Sequence, residues 1–160
     1  MAAHDRDRGP HGMTANAFMS ASLDPPLVVV AIRREARLHA AVERSEGYGV
    51  SILPAFMERE ARRFAGLPVD AVAREPSLVE RSGVPVLEGA IAWLATRLTA
   101  AHAAGDHTLF VAEVVALGAG DGDEAPLAFF RSAFTRVEPA TEEPVAVDPW
   151  GFPGSSDFWG

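Results

Sequence analysis

Apolar positions along this chain come in short runs rather than in long helical stripes. Leu27-Val28-Val29-Val30-Ala31-Ile32 is β-branched and introduced by Pro25-Pro26, which predicts a buried strand. Met13 to Ser22 is small and polar and suits a strand whose hydroxyls face a cavity. Ala36 to Ser45 mixes small residues with alternating charge and suits a short helix. Tyr48 to Leu53 alternates as a strand does. Pro54 opens Ala55 to Ala65, where Glu and Arg at helical spacing predict a surface helix that stops at Gly66. Thr108 to Leu117 reads as a strand, Gly118 to Glu124 as a turn, and Leu127 to Val137 as one further strand-like run. Leu87 to Ala104 has two readings. Its alanines favour helix, yet Ile91, Trp93 and Ala95 alternate, and Gly89 is a poor helix-interior residue.

The ends differ from the middle. Residues 1–10 are polar, carry both charge signs and read as a flexible, frayed segment. Residues 11–137 form the folded domain. Residues 138–160 are an acidic tail, rich in Pro and Glu at first and ending in Trp150, Phe152, Phe158 and Trp159.

A length of 160 residues suits one domain with a core of its own. The net charge of -8 sets the surface against phosphate backbones and anionic lipid headgroups, so neither nucleic acid nor a membrane surface is an expected partner. With no cysteine, thiolate nucleophiles, thiolate zinc sites and iron–sulfur clusters are excluded. No apolar segment follows the polar start as a signal peptide requires, and no run approaches the ~20 residues of a spanning helix. A soluble, cytoplasmic protein is expected.

Several motifs fail on spacing. Gly118-Ala119-Gly120-Asp121-Gly122-Asp123 lacks the GxGxxG frame and is followed by carboxylates that would repel a pyrophosphate. His4, His11, His39, His102 and His107 show no paired metal-ligand spacing, so no metal is expected.

Three segments carry a pattern, in order. The first is His11-Gly12-Met13-Thr14-Ala15-Asn16-Ala17-Phe18-Met19-Ser20-Ala21-Ser22-Leu23-Asp24-Pro25-Pro26-Leu27-Val28. The second is Arg62-Arg63-Phe64-Ala65-Gly66. The third is Gly105-Asp106-His107-Thr108-Leu109-Phe110-Val111-Ala112-Glu113-Val114, followed by Pro126-Leu127 and Phe130-Arg131. From His11 to Val137 the chain resembles the flavin reductase-like family, the reductase components of two-component flavin-dependent monooxygenases. The resemblance implies a mainly β fold, a split β-barrel with a few short helices, and makes Leu87 to Ala101 a strand. Relatives carry a leading helix and a first strand before this pattern. Only ten residues precede His11, so both are expected to be missing here.

The resemblance also implies chemistry. The chain would reduce free FMN or FAD by hydride transfer from NADH or NADPH, as a homodimer that supplies a partner monooxygenase. Thr14, Ala15, Asn16 and Ala17 would run along the isoalloxazine edge. Ser20 and Ser22, taken to share one strand face, would line the ribityl and phosphate end with Leu23 and Asp24. Arg37 would meet the phosphate. Phe64 and Gly66 belong to the cofactor-binding set, as do Gly105 and Asp106 at a hairpin entrance. His107 would be the catalytic residue that places the nicotinamide. Ser51 stands where relatives usually carry Asn. Two alternatives remain at this stage: a non-catalytic flavin-binding or dimerisation module, and an oxidoreductase with tightly held FMN.

Overall fold

The computed structural model describes residues 1–70, 75–120 and 124–137. The tail 138–160 and most of the acidic turn after Gly120 lie outside the described residues. Eleven strands and two helices follow one another in these segments. They are β1 (Ala2–Asp5), β2 (Gly9–Gly12), β3 (Phe18–Leu23), β4 (Pro26–Arg33), α1 (Arg37–Arg44), β5 (Gly49–Ile52), α2 (Glu58–Phe64), β6 (Leu78–Arg81), β7 (Val84–Leu87), β8 (Ala92–Ala104), β9 (His107–Ala119), β10 (Leu127–Phe130) and β11 (Ala133–Arg136). A 3-10 turn, Ala55–Met57, leads into α2.

Seven strands form one antiparallel sheet in the order β2-β1-β5-β8-β9-β4-β3. The two edge strands, β2 and β3, are consecutive in sequence. A flat sheet of this size would hold them about 29 Å apart, while the Met13–Ala17 connection reaches only about 20 Å. The sheet therefore curls until its edges approach, and Met13–Ala17 straps the gap of an open barrel. Val28, Val30, Ile32, Phe110 and Ala112 fill the concave side, and α1 caps it with Leu38, Ala41 and Val42. Tyr48 is fully buried there, its backbone N–H and carbonyl both bonded to the Thr96 hydroxyl (3.2 and 2.7 Å). Burial pushes its phenol pKa up.

Three expectations need correction. Residues 1–10 are not a frayed end: Ala2 and Ala3 are buried, and β1 lies inside the sheet between β2 and β5. Polarity at Asp5–Arg8 marks a hairpin turn, closed by the Asp7 amide donating to the Asp5 carboxylate (2.9 Å), with Gly9 at φ +78. Leu127 to Val137 is not one run. Arg131 and Ser132 both adopt positive φ and fold it into the β10–β11 hairpin. Nor do Ser20 and Ser22 share a face. Ser20 pairs with Val28 and Ser22 with Leu27, because a bulge at Ala21 resets the alternation.

Leu87 to Ala104 divides. Gly89 takes φ +81 in a turn, and from Ala92 onwards the chain is strand, paired on one side with β5 and on the other with β9. Tertiary pairing overrides alanine's helix preference.

Candidate functional site

A cavity of about 380 Å³ opens under the Met13–Ala17 strap. That volume falls in the range of ordinary small-molecule sites, about 300–1,000 Å³. Thr14, Ala15 and Asn16 form one wall, Ser51 and Ile52 of β5 with the following Leu53 another, and Phe64 and Phe134 supply aromatic surface. The strap is fixed to α2. The Thr14 hydroxyl donates to the Ala61 carbonyl (2.7 Å) and the Thr14 amide to the Phe64 carbonyl (3.1 Å). Both Thr14 donors are thus spent on holding the strap. Asn16 lies exposed at the rim, Ala17 is exposed beyond the lining, and the Ala17 carbonyl accepts from the Ala31 amide (2.9 Å), which ties the strap's far end to β4.

Phe64 reaches its place because Gly12 has no side chain. A Cβ there would stand 2.6 Å from the Phe64 ring. Gly66 follows α2 at φ +71 and ends it, as its position in the sequence predicts. Phe134 packs edge-on against Phe129, ring centroids 5.2 Å apart, and the Arg62 guanidinium lies 5.5 Å from its ring. Ser51 is not idle. Its hydroxyl accepts from the Leu87 amide (2.9 Å) and joins β5 to the end of β7. Motif reading gave Gly12 and Ser51 no role of their own: Gly12 was legible only as part of the first motif, and Ser51 only as a departure from the usual Asn.

A second group of residues sits at one end of β4. Gly105 and Asp106 make the two-residue turn between β8 and β9, with Gly105 at φ +61, and His107 pairs with Arg33. His107 Nδ1 and Asp106 Oδ1 are 2.7 Å apart, Arg33 Nε is 3.9 Å from Asp106 Oδ2, and the Arg34 amide donates to the Asp106 carbonyl (3.0 Å). The hydrogen bond with His107, with the charges of His107 and Arg33, holds the Asp106 carboxyl below the usual carboxylate range. Arg37, exposed, opens α1 a tight turn after Arg33.

Ser22, Leu23 and Asp24 lie at the opposite end of β4, beside Leu27 and Pro26. Six residues of strand, about 20 Å, separate that end from Arg33. The cavity therefore gathers Thr14, Ala15, Asn16 and Phe64, and the turn gathers Arg33, Asp106 and His107. Ser20, Ser22, Leu23 and Asp24 join neither group.

An open antiparallel barrel with an aromatic-walled cavity at its split defines a small split β-barrel protein with a small-molecule site. The flavin reductase like domain matches residues 1–138, so this chain belongs to the flavin reductase-like family. The match takes in β1 and β2 as well as the motifs. An NADH-dependent flavin reductase of a Rhodococcus species is 44% identical over 145 residues, covering 89% of this chain and 76% of the relative. The reductase component of 4-hydroxyphenylacetate 3-monooxygenase from Thermus thermophilus is 36% identical over 126 residues, 79% of this chain and 78% of the relative. Among solved structures, the Streptomyces globisporus NADH:FAD oxidoreductase SgcE6, in complex with NAD and FAD fragments, superposes with a TM-score of 0.76 at 33% identity. That superposition covers 88% of this chain and 84% of the other. The activity class of the family is flavin reduction, and the Rhodococcus and Streptomyces relatives are NADH-dependent.

Proposed function

We propose that this chain binds free FMN or FAD under the Met13–Ala17 strap and passes it a hydride from NADH or NADPH. In this reading it works as a cytoplasmic homodimer that supplies reduced flavin to a partner flavin-dependent monooxygenase. The observation that carries the reading is the strap itself. A short segment, anchored at Thr14 and Ala17, closes a mainly apolar cavity walled by Phe64 and Phe134 and leaves polar groups at its rim. A flat ring system with apolar faces and one polar edge requires such a lining, so the residues present fit a flavin.

The bound flavin supplies the redox chemistry. The chain's work is to bind and orient. Ala15 and Asn16 would meet the polar edge, and Phe64 would present an aromatic wall. Arg37, backed by Arg33 and Arg34, offers cations to a phosphate in an otherwise acidic protein. With Nδ1 turned to Asp106, His107 keeps Nε2 for the nicotinamide end. Positioning of this kind is the main barrier-lowering task in a hydride transfer. Ser22, Leu23 and Asp24 are too far from Arg37 to hold the same phosphate within one protomer. With Ser20 they are assigned to the remainder of a longer flavin such as FAD.

The convex face supports self-association. Val29, Ala31, Leu109 and Val111 are neighbours across β4 and β9, and Met19, opposite Val29, is 61% exposed. A second copy would cover this apolar stripe.

Loss of nicotinamide absorbance, followed with FMN or FAD added to the purified chain, tests the reading. Turnover that depends on added flavin is expected. Absence of oxidation with both flavins and both nicotinamides would overturn it. Sedimentation at micromolar concentration tests the homodimer.

A further inference from the structure

His39 lies outside both groups described above, yet it is buried (8% exposed) and polar. Its Nε2 is 2.8 Å from the Thr108 hydroxyl, a contact between residues 69 apart in sequence. Its ring stands edge-on to Phe110, centroids 5.2 Å apart, and Nδ1 is 3.9 Å from the Glu43 carboxylate. Among the described residues the other buried polar side chain is Thr96, which bonds only to the backbone of Tyr48, just before β5. His39 instead joins a helix to a distant hairpin.

The place of that link matters. Thr108 follows His107 at the start of β9, and Arg37 is two residues before His39 at the start of α1. Residues 108 and 110 share the core side of β9, whereas the His107 side chain faces the other way. His39 therefore acts on His107 only through the backbone. Apart from the strand ladder and the Arg34 amide on the Asp106 carbonyl, the side-chain contacts at the turn are on the solvent side. Gly105 and Asp106 are exposed, and the Arg33–Asp106 ion pair is long and solvated. The His39–Thr108 bond is part-buried against the core, where competition from water is reduced.

We infer that His39 is a positioning residue for the nicotinamide end of the site: through Thr108 it fixes the His107-bearing start of β9 against the helix that carries Arg37. This inference rests on the functional reading above, in which His107 meets the nicotinamide and Arg37 a phosphate. A leucine at position 39 would fill similar space but leave the Thr108 hydroxyl without its partner. A glutamine could still reach it.

The test uses the full chain with His39→Leu, Thr108→Val, the double variant and His39→Gln. Steady-state kinetics are read with NADH and flavin varied separately, and amide hydrogen exchange is read over residues 104–109 without ligand. The KM for NADH should rise about three- to tenfold in each single variant. It should rise no further in the double variant, because both changes remove one bond. The kcat and the KM for flavin should stay within about twofold. Exchange at 104–109 should quicken in parallel, and His39→Gln should restore both readings. Unchanged exchange and an unchanged KM for NADH would overturn the inference. So would losses in kcat, both KM values and melting temperature that add in the double variant, which is the signature of a purely structural role. If the unmodified chain oxidises neither NADH nor NADPH with either flavin, the functional reading fails on its own. The exchange comparison then decides whether His39 holds the turn: quickening supports the link, and its absence overturns it.

Discussion

Replacing Gly12 by alanine should weaken flavin binding more than it weakens the fold. The new Cβ would stand 2.6 Å from Phe64 Cε1, 2.8 Å from Cδ1 and 3.2 Å from Cζ. Ordinary contact begins near 3.4 Å, so the ring must retreat by close to an ångström. Phe64 is half-buried and lines the cavity, so space for that retreat lies inside the proposed flavin site. Overpacking of this kind costs about 1–3 kcal/mol when neighbours cannot move, and a ring free to swing keeps the cost at the low end. For a chain of this size that is a melting shift of a few degrees, at about 2–4 °C per kcal/mol. The KM for flavin should rise about tenfold, the loss expected when an aromatic wall leaves its place. Gly49→Ala is the control. Its Cβ would meet the backbone carbonyl oxygen of Pro85 at 2.0 Å, an obstacle that cannot rotate away, so the fold itself should fail. The assay is paired thermal melting and flavin titration on both variants. The reasoning is refuted if Gly12→Ala melts as early as Gly49→Ala, or if it melts slightly early with flavin affinity intact.

Three further outcomes follow from named contacts. Asp106 has its pKa depressed by the hydrogen bond with His107, so any stability from the pair is present above the ordinary carboxylate pKa of about 4 and lost as pH falls through the lower folded value. Melting curves from about pH 5 to 2 should therefore show a shallower acid decline in Asp106→Asn, while its KM for NADH rises and its KM for flavin does not. An equally steep decline would show that the pair is unlinked to folding. Arg37→Gln should raise the KM for FMN more than that for riboflavin, which has no phosphate; equal changes would remove Arg37 from the phosphate site. Phe110→Ala empties a fully buried position and should cost about 3–5 kcal/mol in chemical denaturation. A loss under about 1 kcal/mol would contradict the packing described for the concave side.

Strands with strong local signatures were legible in the sequence. Leu27 to Ile32 and Thr108 to Leu117 are β-branched runs with clear flanks, and each lies within a strand of the sheet. Ala36 to Ser45 and Ala55 to Ala65 contain their helices. Failures came where pairing, not propensity, decides. Ala2 to Asp5 has no β-branched residue and becomes an inner strand because small side chains fit against α1 and β5. The Arg131–Ser132 turn uses positive φ without Gly or Asn, so its residues gave no warning. The bulge at Ala21 is invisible to a period-two argument and reverses the facing of Ser22.

The site was legible in parts. The Thr14-Ala15-Asn16 motif and Phe64 do meet at one cavity, and Gly105 does occupy a tight turn. The role of Thr14 as an anchor needed coordinates, because nothing in the motif shows that Ala61 and Phe64 offer their carbonyls to it. Distance along β4, which separates Arg37 from Ser22 and Asp24, could be counted only once the register was known.

A crystal structure of the chain with FMN bound would test the central claim most directly. The account predicts the isoalloxazine beneath the Met13–Ala17 strap, its polar edge toward Ala15 and Asn16 and its face toward Phe64, with the phosphate on the Arg37 side. An FMN seated elsewhere, with the cavity between Phe64 and Phe134 still empty, would contradict it.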